Sequence, residues 1–386
     1  MALRAGAIRF NTDSNQMEIY DGNQWTGISA TSTFLQTGGT RGLFAFVGSP
    51  YSLDFINIDT TGNAADFGDG ISAGSVGLSG DRTRAISMGG QDPSSNYINT
   101  IGFVTIASTG DMADFGDLLA GRRQVGSKGC NSTRSISMTG AVPPGNAAAQ
   151  MNIIEYVTTQ SQGNSVDFGD LSQTGSVECC SSPTRVVMPG RYGSPYGRAN
   201  FIDYITTSTT GNSADFGDLS INANDKQTVS NAVRGVACGG GNDSPLADQS
   251  NLCEFVTLAT LGNATDFGEL TVGRQSMSAC SSLTRGVITA GYNVSPTSAA
   301  TNTMDYIQIM TTGNAIDFGD LTRTTYQVPS GVVSSPTRGL CVAGYPSPSL
   351  VIDAFEIATT GNSVDFGDCT TSANSGYAFS SGHGGL

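Results

Sequence analysis

Between residues 274 and 321 the chain runs through four short stretches in which apolar and polar positions alternate or small residues cluster. Residues 275–280 form a first run of small side chains, and Ser281-Ser282-Leu283 reads as a turn. Residues 284–291 form a second run that ends in glycine, and a polar loop follows over 292–302. Residues 304–309 alternate with period two, and residues 315–318 open a fourth run after Gly313-Asn314. Period-two alternation punctuated by glycine and asparagine predicts strands, not helices. Gly-Asn suits a type II′ hairpin, so the third and fourth runs should be antiparallel neighbours. The pair recurs as Gly62-Asn63, Gly163-Asn164, Gly211-Asn212, Gly262-Asn263, Gly313-Asn314 and Gly361-Asn362, with Gly110-Asp111 in its place once.

The whole pattern is periodic. A phrase close to Thr-Thr-Gly-Asn-x-x-Asp-Phe-Gly-Asp-Leu occurs seven times. Its Asp-Phe pair stands at Asp66-Phe67, Asp114-Phe115, Asp167-Phe168, Asp215-Phe216, Asp266-Phe267, Asp317-Phe318 and Asp365-Phe366. The steps between successive pairs are 48, 53, 48, 51, 51 and 48 residues. Such a period implies units that each bury a face against the next. An aromatic lies twelve positions before the phenylalanine in six units (Phe55, Phe103, Tyr156, Tyr204, Phe255, Tyr306), whereas the seventh has Ala354 there and Phe355 beside it. These aromatics read as core between units. The expected fold is all-β: a seven-bladed β-propeller of four-stranded antiparallel blades over residues 31–386. Residues 375–381 resemble a first strand and should complete the first blade, a place for which residues 31–36 compete.

Residues 1–30 do not share the repeat. Ile8 and Phe10 alternate with polar residues, a turn is expected over 12–15, and Asp21-Gly22 is a hairpin signal before Trp25. A three-stranded meander of this size cannot bury Phe10, Tyr20 and Trp25 by itself. These three residues are the candidate attachment site. They should dock on the repeats, on other copies or on a host particle, and a cap on the propeller is the plainer alternative.

Composition narrows the function. Hydrophobic residues are 38% and charged residues 13%, with 51 glycines, which suits short strands and tight turns. The net charge is −14 and the only lysines are Lys128 and Lys226, so nucleic acid and anionic membrane are poor partners. No apolar leader peptide or membrane-spanning run is present, which points to a soluble chain. The eight cysteines include no C-x-x-C pair and read as small buried strand residues, disulfides and metal ligation being the alternatives. Arg41, Arg84, Arg134, Arg185, Arg234, Arg285 and Arg338 open the second run of each unit and should bridge to carboxylates or carbonyls. The Asp-Phe-Gly-Asp phrase could hold calcium, but capping of backbone N–H groups explains it more simply. The single histidine, His383, leaves no basis for a Ser-His-Asp site, and no carboxylate pair stands apart from the others. The sequence therefore predicts no catalytic residues, no cofactor and no enzyme.

The glycine-ended apolar strand and the two aromatics of each unit resemble kelch-type repeats. Kelch units carry two glycines there, as at Gly89-Gly90 and Gly239-Gly240, and favour tryptophan where Phe67 and its equivalents stand. The leader, from Gly6-Ala7-Ile8-Arg9-Phe10 through Tyr20-Asp21-Gly22-Asn23-Gln24-Trp25, resembles segments of tail-fibre and other virion proteins of tailed phages. Asp-Phe-Gly-Asp repeats are similar to those of virion proteins of marine phages, cyanophages among them. The resemblance implies a non-enzymatic virion structural protein, whether tail fibre, tail or capsid-associated. It would be assembled in the host cytoplasm and present in several copies. Loops at 91–96, 141–150 and 241–250 would meet another virion protein, or a host surface glycan or receptor. A cytoplasmic kelch-like protein-binding scaffold and a carbohydrate-active propeller enzyme are the alternatives.

Overall fold

A computed structural model describes residues 4, 6–11, 16–27, 40–46, 51–72, 77–123, 126–131, 133–142, 151–175, 178–193, 197–242, 250–293, 299–326, 331–342, 344–346, 349–373 and 376–380. Among them all regular structure is strand. The chain divides into two compact units, Met1–Leu35 and Gln36–Leu386.

The first unit holds one antiparallel sheet of Ile8–Asn11, Gln16–Tyr20 and Trp25–Gly27. Asp21 caps its second hairpin by accepting the amides of Asn23 and Gln24 at 2.7 and 2.8 Å. The turn expected over 12–15 lies outside the described residues.

Among the described residues the second unit has seven antiparallel sheets, one per repeat, numbered I to VII. Sheet II shows the plan, with strands Gly77–Gly80, Arg84–Met88, Thr100–Thr105 and Ala113–Asp117 side by side in chain order. Sheet I departs from it. Its strands Arg41–Phe46, Ser52–Asn57 and Ala65–Asp69 take their first partner from the other end of the unit, Gly376–Ser380. The C-terminal segment thus completes the first sheet, with Phe379 opposite Leu43. The competing segment 31–36 lies outside the described residues.

The Asp-Phe-Gly phrase is a β-bulge in every sheet. In sheet I, Leu53 faces Gly68 and Asp54 faces Asp66, so Phe67 is the extra residue. The same slip occurs in the other six. A bulge re-aims the side chain at its apex, and Phe67 and its equivalents become 2–5% exposed. The bulge glycines take φ from 136° to 151°, a region closed to other residues.

The Gly-Asn pairs do not form two-residue hairpins. Residues 58–64 separate the third and fourth strands of sheet I, and Gly62 has φ 148°, not a II′ value. The pair reaches instead to the preceding sheet. Gly110 N donates to Phe67 O at 2.7 Å and Met112 N to Asp69 O at 2.8 Å. Asp69 N donates in turn to Asp111 Oδ1 at 3.0 Å. This three-bond lock recurs at each junction and finally from sheet VII to sheet I, through Gly62 N to Phe366 O, Ala64 N to Asp368 O and Asp368 N to Asn63 Oδ1. A Cβ on Gly116 would lie 2.4 Å from Gly163 O, so glycine is required where the two backbones meet.

Each junction also buries an apolar cluster drawn from two consecutive sheets. Phe67 of sheet I packs with Ala85, Val104 and Ile106 of sheet II. Phe366 of sheet VII packs with Phe44, Ile56 and Ile58 of sheet I. The core therefore sits between sheets, and the succession of contacts closes on itself.

Candidate functional site

The described acids, arginines and aromatics of the repeat serve the junctions. In six sheets the second-strand arginine sits over the third-strand aromatic of its own sheet, 4.0–4.9 Å from the ring centre. The second-strand arginine donates to a backbone carbonyl of the next sheet, Arg41 to Ile106 O at 2.8 Å and, across the closing junction, Arg338 to Ile58 O at 3.1 Å. Carbonyls, and not the repeated carboxylates, are thus its common partners. The third-strand aromatic meets the bulge phenylalanine edge to face at 5.7–6.1 Å in those six sheets. Each such pair adds about 0.5–1.5 kcal/mol beyond burial.

The first aspartate of the phrase caps its own bulge: Asp66 Oδ1 accepts Gly68 N at 3.0 Å, and Asp114, Asp167, Asp215, Asp317 and Asp365 do likewise. These oxygens face N–H donors, whereas a calcium site gathers further oxygens. Among the described residues no group of three His, Cys, Asp or Glu could hold a metal ion.

A second set of acids escaped the sequence reading. The residue before the third-strand aromatic position is acidic in six units, Asp54, Glu155, Asp203, Glu254, Asp305 and Asp353, and each is buried. Glu155 pairs with Arg122 at 2.6 Å, Asp203 with Arg191 and Asp305 with Arg274 at 2.8 Å, all buried. Burial lowers the basicity of Arg122 and Arg191, while their carboxylate partners raise it in part. The acids also hold the preceding sheet, as when Leu119 N donates to Glu155 at 2.9 Å. Sheet II has Gly102 instead, and Ile71 and Met112 fill the space that a Cβ there would need. The acid-aromatic dipeptide was the available signal.

The attachment residues separate in the first unit. Ile8 pairs with Ile19, so these two and Phe10 share one face, 59%, 37% and 54% exposed. Tyr20 and Trp25 lie on the opposite face, 5.4 Å apart, with Arg9 4.2 Å over the indole and bound to Glu18 at 2.8 Å. Phe10 is therefore grouped with isoleucines and not with the other two aromatics, because cross-strand partners share a side of the pleat.

Among the described residues, segments that follow second strands meet segments that follow the fourth strand of the preceding sheet at one end of the sheets, through the bridges Arg123–Ala141, Gln275–Tyr292 and Tyr326–Tyr345. Residues 91–96 form a turn there, Asp92 accepting both the amide and the side-chain nitrogen of Asn96 at 2.8 Å. Of the other two loops, 143–150 and 243–249 lie outside the described residues. At this end Tyr326 lies 4.8 Å from Tyr292 and 5.1 Å from Tyr345, which is 42% exposed. Partial burial, with Tyr345 and Tyr292 close by, pushes the Tyr326 phenol up. The tyrosines after Gly291 and Gly344 occupy matching places, a signal the sequence reading passed over. No protein-family model matches this chain, and no curated protein proves similar to it.

Proposed function

We propose that the second unit is a seven-bladed, kelch-like β-propeller and that the protein is a non-catalytic structural component of a phage virion. The first unit anchors it in the particle, several copies per assembly, and the loop end of the propeller faces another virion protein or a host surface glycan or receptor. The observation that carries this reading is the apolar face of Ile8, Phe10 and Ile19, on a sheet too small to bury it. Exposed apolar surface of that kind marks a contact with another molecule.

Other features support it. Seven sheets whose locks return from the last to the first suit a propeller, which leaves no long free sheet edges. The capping aspartates and the buried acids are held by hydrogen bonds and ion pairs of the fold, so a structural role accounts for them. The tyrosines at the loop end are amphipathic and suit a contact surface.

The test is particle composition. Mass spectrometry of gradient-purified particles should find the chain, and Phe10→Asp combined with Ile8→Asp should remove it from particles while leaving it folded in the lysate. A chain confined to the soluble fraction in both forms would overturn the virion reading and favour a cytoplasmic protein-binding scaffold.

A further inference from the structure

The seventh sheet breaks the repeat at one point, and the break leaves a hollow. Strands Ser349–Glu356 and Val364–Ala373 of sheet VII put Ala354 opposite Val364, where the other six sheets have an aromatic. Phe355 does not compensate. It turns to the other side, 5.7 Å from Phe318 at the junction of sheets VI and VII. A cavity of about 200 Å³ remains, lined by Ala354, Phe366, Arg338, Glu356 and Val364, with Thr61 of sheet I and Thr359 and Thr360 among its polar lining.

The surroundings are arranged as in the filled sheets. Arg338 stands 5.8 Å over Phe366, since the ring it would cover is missing. Glu356 binds its Nε and Nη2 at 2.7 Å and so holds the guanidinium at the hollow. The equivalent positions carry Asn57, Thr105, Thr158, Thr206, Thr257 and Gln308, so the one unit without an aromatic is also the one with an acid there. Val364, opposite Ala354, stands at the rim and is 62% exposed.

We propose that this hollow is a binding site for an aromatic side chain, Phe or Tyr, presented by a partner polypeptide. The occupant is indicated by the six filled sheets, where a Phe or Tyr ring lies between an arginine and a phenylalanine edge. A guest ring entering from solvent restores that sandwich, with edge-to-face contact to Phe366 and a cation–π contact to Arg338. The threonine hydroxyls offer donors and acceptors to the peptide groups flanking the guest side chain, which a free arene lacks. Single aromatic anchors in pockets dominate many protein interfaces.

Titration of the intact protein with N-acetyl-tyrosinamide and N-acetyl-phenylalaninamide, followed by ligand-observed NMR, tests the site. Saturable binding with Kd of about 1 mM is expected, and N-acetyl-leucinamide should bind at least about tenfold more weakly. Ala354→Phe should abolish binding of both and raise the Tm, because its own ring fills the space. Val364→Arg, at an exposed position of the rim, should weaken binding at least about fivefold and keeps the test open if Ala354→Phe does not fold. Equal binding of all three amides, absence of saturation, or binding unchanged in whichever variant folds would overturn the proposal.

Discussion

Glycine has two distinct uses in the repeat, and substitution separates them. At Gly116 a methyl group would meet the Gly163 carbonyl at 2.4 Å, whereas at Gly163 itself nothing lies within 4 Å. Both have positive φ, 149° and 152°. Gly116→Ala should therefore cost about 3 kcal/mol and Gly163→Ala about 1 kcal/mol in urea unfolding; equal midpoints would refute the close approach. The cysteines give a pH-dependent counterpart. Burial pushes the thiols of Cys180, Cys280, Cys341 and Cys369 up to about 12, from 9.0. A thiol whose folded pKa is raised stabilises fully below the unfolded value and loses that contribution as pH rises towards the folded one. Stability should thus fall from about pH 9 upward, and less so in the quadruple Cys→Ala variant. At pH 8 a thiol reagent should label these four at the rate of global unfolding; rapid labelling of the folded protein would contradict their burial.

Among elements, the C-terminal strand carries the most at stake. Gly376–Ser380 supplies the first strand of sheet I, and Phe379 enters the cluster between sheets I and II. Ser380 also exchanges two hydrogen bonds with Ser334 of sheet VII, each 3.0 Å. Removing residues 376–386 opens both junctions at once and should lower the Tm by about 10 °C or more. An unchanged Tm would mean that another segment fills the place. The bulge is the other element that matters, since it converts an ordinary third-to-fourth strand pair into a surface able to receive the next sheet.

For the second unit as a whole, the prediction concerns closure. If the succession of seven junctions has no ends, the VII–I junction is energetically like any other. Asn63 accepts Asp368 N at 3.1 Å across it, and Asn164 accepts Asp117 N at 3.1 Å across an internal one. Asn63→Ala and Asn164→Ala should each cost about 1 kcal/mol, within about 0.5 kcal/mol of each other. A silent Asn63→Ala beside a costly Asn164→Ala would show an open array.

The sequence by itself determined the all-β class, the seven units and the antiparallel pairing of third and fourth strands; it offered the C-terminal strand with residues 31–36 as its competitor, and arginine bridges to carboxylates or carbonyls, of which the structure took the carbonyls. These readings depend on local alternation, on turn residues and on the spacing of like phrases, which are written along one chain. The tertiary structure decided what each phrase meets. Gly-Asn resembles a hairpin turn in isolation, yet its hydrogen-bond partners stand on the preceding sheet, and no single-unit pattern reveals them. The acids before the third-strand aromatics look like surface charges until Arg122, Arg191 and Arg274 are seen buried beside them. Phe10 parts from Tyr20 and Trp25 because strand register, not sequence proximity, assigns faces. The hollow at Ala354 exists only because two strands, an arginine and the first sheet converge on a place where one ring is missing.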